Sequence, residues 1–107
     1  MSVRLIYSES ARQDLGDVYD GVVSASFSPE SAREQVRRIR ERIRALKIFP
    51  QRYPKYDESR YGELRFFPVD NYLVFYRPEA ESSDVVVARV LYGGRDIRKY
   101  PSSAFED

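Results

Sequence analysis

The chain has 107 residues, a length typical of one domain, and 42% of them are hydrophobic, which excludes a disordered protein. Lysine and arginine number 18 against 17 aspartates and glutamates, so the net charge of +1 argues against a uniformly basic, histone-like nucleic-acid binder. Cysteine and histidine are both absent, which excludes disulfides, thiolate or histidine metal sites, cysteine nucleophiles and serine–histidine triads.

The first two predicted elements are a strand and a helix. Residues 3–7 are rich in β-branched and aromatic side chains, as strands are. Ser8 or Ser10 can then cap a helix over 9–25. Apolar residues recur there at spacings of four, three and four, namely Ala11, Leu15, Val18 and Val22. This spacing predicts an amphipathic helix.

A second helix follows closely. Ser28 and Pro29 form a start signal, because serine caps a helix and proline suits its first position. The apolar positions are Ala32, Val36, Ile39, Ile43 and Leu46. Pro50 stops the helix shortly after this stripe. Because the connection between the two helices is short, we expect an antiparallel helical hairpin.

After the turn-rich segment 51–61, three stretches rich in valine, leucine, phenylalanine and tyrosine predict strands at 63–69, 72–77 and 84–92. Asp70 and Asn71 form a two-residue hairpin turn between the first two. The predicted order is β-α-α-β-β-β. It is an α+β fold with the helical hairpin packed on one face of a small, mainly antiparallel sheet. We expect a single domain over 1–107, with 101–107 as a flexible tail.

A turn at Asp70 and Asn71 makes the numbers of facing residues sum to 141. The face expected under the helices then carries Leu64, Phe66, Leu73 and Phe75. The opposite face carries Arg65, Phe67, Val69, Tyr72, Val74 and Tyr76. It is interpreted either as a platform for a partner or as a core margin with a snorkelling arginine. A slip of one residue at Pro68 would exchange the two faces.

The positive charge is concentrated in the second predicted helix. Residues 33–47 hold seven cations and two carboxylates, a net charge of +5. A cationic ridge follows the apolar stripe, displaced by one residue: Arg33, Arg37, Arg40, Arg44 and Lys47. The ridge is either a solvated helix face or a surface for an anionic partner. An acidic protein segment and a nucleic-acid backbone both remain possible.

Neither a membrane nor a cofactor is indicated. No run approaches the roughly 20 apolar residues of a membrane span. The N-terminus lacks the apolar stretch of a secretory signal, so we expect a cytoplasmic protein with no membrane contact. The carboxylates mostly stand singly, which predicts that no metal or organic cofactor is required.

Four segments together resemble the RelE/ParE toxin superfamily of bacterial type II toxin–antitoxin systems, over residues 3–98. They are SESARQDL, IRALKIFP, GELRFFPVDNYLVFYR and RVLYGGRDI, in that order. The segments NYLVFYR and RVLYGGRDI are most similar to the ParE-like branch. The resemblance implies a toxin neutralised by a cognate antitoxin, which we expect to bind Arg33, Arg37, Arg40 and Arg44.

The resemblance leaves the cellular target open. ParE-like members poison DNA gyrase by binding, whereas RelE-like members cut messenger RNA on the ribosome; a relic that only binds antitoxin is the third possibility. The expected target-binding residues are Arg65, Tyr76, Arg89 and Arg95. A ribonuclease would use Arg65, Arg89, Tyr92 and Arg95 as its catalytic set. Tyr92 stands where relatives commonly have histidine, so proton transfer would depend on Tyr92 or Tyr100, which favours the gyrase hypothesis.

Overall fold

The structure, a computed structural model, describes residues 3–106. Its strands and helices are β1 (Arg4–Tyr7), α1 (Glu9–Ser26), α2 (Pro29–Arg44), α3 (Glu58–Tyr61), β2 (Arg65–Val69), β3 (Tyr72–Pro78) and β4 (Asp84–Tyr92). The predicted α+β order is confirmed, with the single turn of α3 added inside the turn-rich segment. The sheet order is β1-β4-β3-β2, with β1 parallel to β4 and the other pairs antiparallel.

Serine hydroxyls begin both long helices, as the sequence predicts. The Ser8 hydroxyl accepts a hydrogen bond from the backbone N–H of Ala11 at 2.9 Å. It also donates to the carbonyl of Ala88 at 2.8 Å, which joins the start of α1 to β4. Ser28 accepts from the N–H of Ser31 at 3.1 Å, with proline at the first helical position. The helical hairpin is therefore fixed at its start and at its turn.

The predicted hairpin register and the residues that share each face are confirmed, but the predicted choice of the face under the helices is wrong. Arg65 faces Tyr76 across the hairpin, and both numbers sum to 141. The residues packed under α1 and α2, however, are Phe67, Val69, Val74 and Tyr76. Both faces of the hairpin are apolar, so alternation alone could not say which one the helices cover.

The other face of the sheet is covered as well. Leu64 and Phe75 pack there against Tyr61, Ile97 and Phe105. Neither face of the hairpin is therefore an open platform for a partner.

This second cluster also corrects the prediction of a flexible tail. Residues 102–105 form a short 3-10 turn, and Phe105 is buried. The Arg77 guanidinium donates to the Phe105 carbonyl. Asp107, the last residue of the predicted tail, lies outside the described residues. The buried Phe105 side chain and this hydrogen bond together anchor the segment.

Candidate functional site

A groove of about 410 Å³ separates α1 from α2. Four arginines form its rim, Arg12, Arg33, Arg37 and Arg40. Its floor is formed by Leu15, Gly16, Tyr19 and Val36. We call this surface the arginine groove. It combines a cationic rim with a partly apolar floor, which suits an amphipathic anionic partner.

The four predicted antitoxin-binding arginines are not equivalent. Arg37 forms ion pairs with Glu34 and Glu41 of its own helix, so its positive charge is largely neutralised there. The hydrogen bond from Arg37 also lowers the pKa of Glu34. Arg33 is exposed and has no ion pair within residues 3–106. The Arg40 guanidinium lies 5.1 Å from the centre of the Tyr7 ring. Arg44 does not line the groove. The net attraction for an anion is therefore strongest at Arg33 and Arg40.

A second cleft, of about 200 Å³, lies between α1 and the ends of β3 and β4. Its polar and aromatic lining consists of Asp14, Asp17, Tyr72, Tyr92 and Arg95. We call it the tyrosine cleft. The Tyr92 ring packs edge-on against Tyr72 with centres 5.9 Å apart, yet Tyr92 is 52% exposed. A Cβ at Gly94 would lie 2.7 Å from the Tyr92 ring, so a larger residue at this position would clash with the ring.

Arg89, a predicted target-binding residue, forms a partly buried ion pair inside the fold. Its guanidinium donates to both carboxylate oxygens of Asp14, at 2.8 and 2.9 Å. Asp14 also accepts the backbone N–H of Val90 at 2.9 Å. The side chains are only 16% and 6% exposed, respectively. This pair joins α1 to β4, so the expectation that Arg89 contacts a target is not supported by its position.

Tyr100 connects Arg89 with Arg95. The Arg89 guanidinium lies 5.5 Å from the centre of the Tyr100 ring. The Tyr100 hydroxyl accepts a hydrogen bond from Arg95 Nη1 at 2.8 Å. Arg95 itself remains exposed. Of the four predicted target-binding residues, Arg95 is the one whose surroundings leave it open to a partner.

Tyr76 and Arg65 hold the segment that follows α2. Tyr76 is fully buried and its hydroxyl donates to the Pro50 carbonyl at 2.6 Å, so Tyr76 as a target contact is wrong. Burial raises the pKa of Tyr76 to about 12. Arg65 Nη1 donates to the carbonyls of Tyr53 at 2.6 Å and Gln51 at 3.3 Å. Both side chains stabilise a loop.

The residues expected for RNA cleavage lie at two ends of the hairpin. Arg65 faces Tyr76, whereas Tyr92 faces Tyr72. Four residues along β3 separate these positions, which is about 14 Å at roughly 3.4 Å per residue. The structure brings Tyr92 and Arg95 to one cleft. Arg89 is paired with Asp14, and Arg65 lies at the other end of the hairpin.

Comparisons with known proteins identify the family. The family described as "ParE toxin of type II toxin-antitoxin system, parDE" matches residues 5–97. The chain belongs to the ParE toxin family. A solved structure titled "Chromosomal ParDE TA system from P. aeruginosa" has the same fold, with a TM-score of 0.69 at 20% identity over 84% of this chain and 95% of that one. Comparison with curated proteins gave no match.

The ParE-like branch inferred from NYLVFYR and RVLYGGRDI is confirmed by the family match. Within the described part of the chain, no three histidine, cysteine or carboxylate side chains are grouped so that they could hold a metal ion. Nor is any helix among residues 3–106 long and apolar enough to cross a membrane.

Sequence reasoning missed three features of this ParE-family chain. Asp14 was one of several acidic residues on the first helix, and nothing marked it as the partner of Arg89. The exposed pair Ile48 and Phe49 and the exposed Phe27 were also missed. A signal existed for the pair, because these two apolar residues lie beyond the last position of the helical stripe.

Proposed function

We propose that this chain is a toxin held inactive by a cognate antitoxin, and that it acts by binding DNA gyrase. Membership of the ParE toxin family supports the toxin function. The separation of the residues that RNA cleavage would need supports binding over catalysis. Arg65 stabilises a loop at one end of the hairpin, while Tyr92 lies at the other. General acid–base catalysis needs its groups within hydrogen-bond reach of one substrate.

The arginine groove is the proposed antitoxin site. Its rim carries the cations that an acidic segment needs, and its floor offers the apolar side chains of Leu15 and Val36. An acidic amphipathic helix would bury its apolar face on this floor and pair its carboxylates with Arg33 and Arg40. The ion pairs that neutralise Arg37 make it a weaker contributor.

The tyrosine cleft is the proposed contact with the target. Tyr92 and Arg95 are exposed there, and both line the cleft at the exit of β4. Tyrosine and arginine are, with tryptophan, enriched among the residues that dominate binding energy at protein interfaces. A gyrase-binding surface requires no proton transfer, and the chain has no histidine.

Two assays on one set of variants test this function. Wild type, Tyr92→Phe and Arg95→Ala are compared in gyrase supercoiling and in ribosome-programmed mRNA cleavage. We expect wild type to block supercoiling and to leave mRNA intact. Tyr92→Phe should keep its activity, because it removes only a hydroxyl, whereas Arg95→Ala should weaken inhibition tenfold or more, about 1.4 kcal/mol.

The opposite result would identify a ribonuclease. If wild type cuts mRNA on ribosomes and Tyr92→Phe reduces cutting by roughly 10²–10⁴, the range for a lost acid or base, the gyrase proposal is wrong. If neither assay responds while an antitoxin still binds, the chain is an inactive binding relic. Thermal unfolding of each variant checks that it remains folded.

A further inference from the structure

The segment after α2 presents two adjacent apolar side chains to solvent. Ile48 is 76% exposed and Phe49 is 66% exposed, in a chain that buries most of its large apolar residues. We call this pair the apolar tip. Two neighbouring apolar side chains held outward lose hydrophobic stabilisation in the free protein, so they indicate a contact with a partner.

The apolar tip stands on a firmly held backbone. The Arg52 guanidinium donates to the carbonyls of Ala45 and Ile48, both at 2.6 Å. The buried Tyr76 hydroxyl donates to the Pro50 carbonyl, directly after the tip. Phe49 itself adopts a left-handed backbone conformation with φ 59°, which is strained for a residue other than glycine. These contacts hold the backbone that carries both exposed side chains.

Positive charge flanks the apolar tip along the chain. Residues 40–52 hold five cations and one carboxylate, Glu41, which is paired with Arg37. Arg44 and Lys47 are exposed, and neither forms an ion pair with any other residue of the part that the structure describes. A partner of this surface therefore carries negative charge and can accept a protruding apolar wedge.

We propose that the apolar tip binds duplex DNA, with Ile48 and Phe49 inserted at a deformable base step and Arg44 and Lys47 on the flanking phosphates. Phenylalanine and isoleucine serve as wedges in proteins that kink DNA, and arginine and lysine neutralise its backbone. An acidic helix, by contrast, fits the concave arginine groove better than a convex tip. DNA is the substrate of gyrase, so this inference deepens the proposed function and rests on it for its biological role.

The test measures binding of the purified chain to fluorescent duplexes by anisotropy, without gyrase. One duplex is intact, and one carries a single-nucleotide gap at its centre, which makes the step easy to kink. We expect wild type to prefer the gapped duplex at least tenfold. The variant Ile48→Ala/Phe49→Ala should lose that preference and keep the salt dependence of its binding.

The contribution of Arg44 and Lys47 is measured separately, through the salt dependence of binding. The variant Arg44→Ala/Lys47→Ala should weaken binding to both duplexes alike. It should also lower the slope of log affinity against log salt by about two, since each lost phosphate contact removes roughly 0.9.

Phe27 provides a matched control. It is 88% exposed and also left-handed, with φ 55°, but lies at the other end of α2, about 24 Å away at roughly 1.5 Å per residue. No cation lies within residues 24–31, so Phe27→Ala should bind both duplexes like wild type.

Three outcomes would overturn the inference. The first is an equal preference of Ile48→Ala/Phe49→Ala and wild type for the gapped duplex. The others are loss of self-association in that variant without loss of DNA binding, and loss of antitoxin binding alone. The supercoiling assay is read separately. Gyrase inhibition without DNA binding would contradict this inference and leave the proposed function intact. DNA binding without gyrase inhibition would support the binding inference and contradict the proposed function.

Discussion

The arginines of α2 and those of the sheet have opposite surroundings. On α2, Arg33 and Arg40 lie on an open groove, and Arg37 is paired only with carboxylates of its own helix. In the sheet, Arg65 donates to backbone carbonyls of the loop after α2, and Arg89 donates to Asp14. The first group faces solvent, and the second fastens neighbouring segments to the strands. An arginine flanked by apolar residues in a strand is therefore more informative about folding than about binding.

The Asp14–Arg89 pair gives the largest expected effect. Asp14→Ala would leave the Arg89 guanidinium buried without its carboxylate, and we expect a loss of about 3–5 kcal/mol in the free energy of unfolding. Urea denaturation measures it. Asp17→Ala, on the exposed side of the same helix, is the control and should change stability by less than about 0.5 kcal/mol. Similar values for the two variants would contradict a fastening role for Arg89.

The α2 arginines should affect binding much more than stability, where we expect a loss of about 1 kcal/mol at most from the contact of Arg40 with Tyr7. Arg33→Glu/Arg40→Glu should weaken the complex with the antitoxin at least tenfold at low salt, with a smaller loss at high salt, because the attraction is screened. Calorimetric titration at two salt concentrations measures it. Arg98→Glu/Lys99→Glu makes the same change in net charge outside the groove and should bind normally. Equal weakening by both variants would mean that net charge alone matters.

Two tyrosines sharpen the same contrast between interior and surface. Tyr76→Phe removes the hydroxyl that donates to Pro50, and it should lower the free energy of unfolding by about 1 kcal/mol. Tyr92→Phe removes an exposed hydroxyl and should leave stability unchanged. The two variants are compared in one thermal unfolding series. A larger loss for Tyr92→Phe would reverse our assignment of the buried and exposed tyrosines.

The smallest expected effect is on the loss of stability at acidic pH. Arg37 lowers the pKa of Glu34, and Gln35 and Arg38 lower that of Asp70, from ordinary values of 4.5 and 3.8. Because the folded pKa lies below the unfolded one, these contacts stabilise fully above about pH 5 and lose their effect as the pH falls through the folded pKa. Arg38→Ala should flatten the dependence of stability on pH between about 5 and 3. An unchanged profile would show that Asp70 gains no stabilisation from Arg38, with Gln35 still in place.

The sequence predicted the element order and register because local chemistry determines both. Serine caps set the helix starts, and the turn at Asp70 and Asn71 sets which residues face each other. It could not choose which face of the hairpin lies under the helices, since both faces are apolar and both are covered in the structure. Nor could it separate Arg89 from Arg95: one meets a carboxylate 75 residues away, the other only a tyrosine hydroxyl.

The parallel pairing of β1 with β4 has a consequence for synthesis of the chain. Arg4 pairs with Asp84, and the Ser8 cap donates to Ala88, so both contacts join residues 80 positions apart. Strand β1 leaves the ribosome before β4, and within the described sheet β4 is the strand that pairs with it. Contacts at such sequence separation form late, after a large loss of chain entropy. A nascent chain of this topology acquires its finished surface only after β4 has left the ribosome.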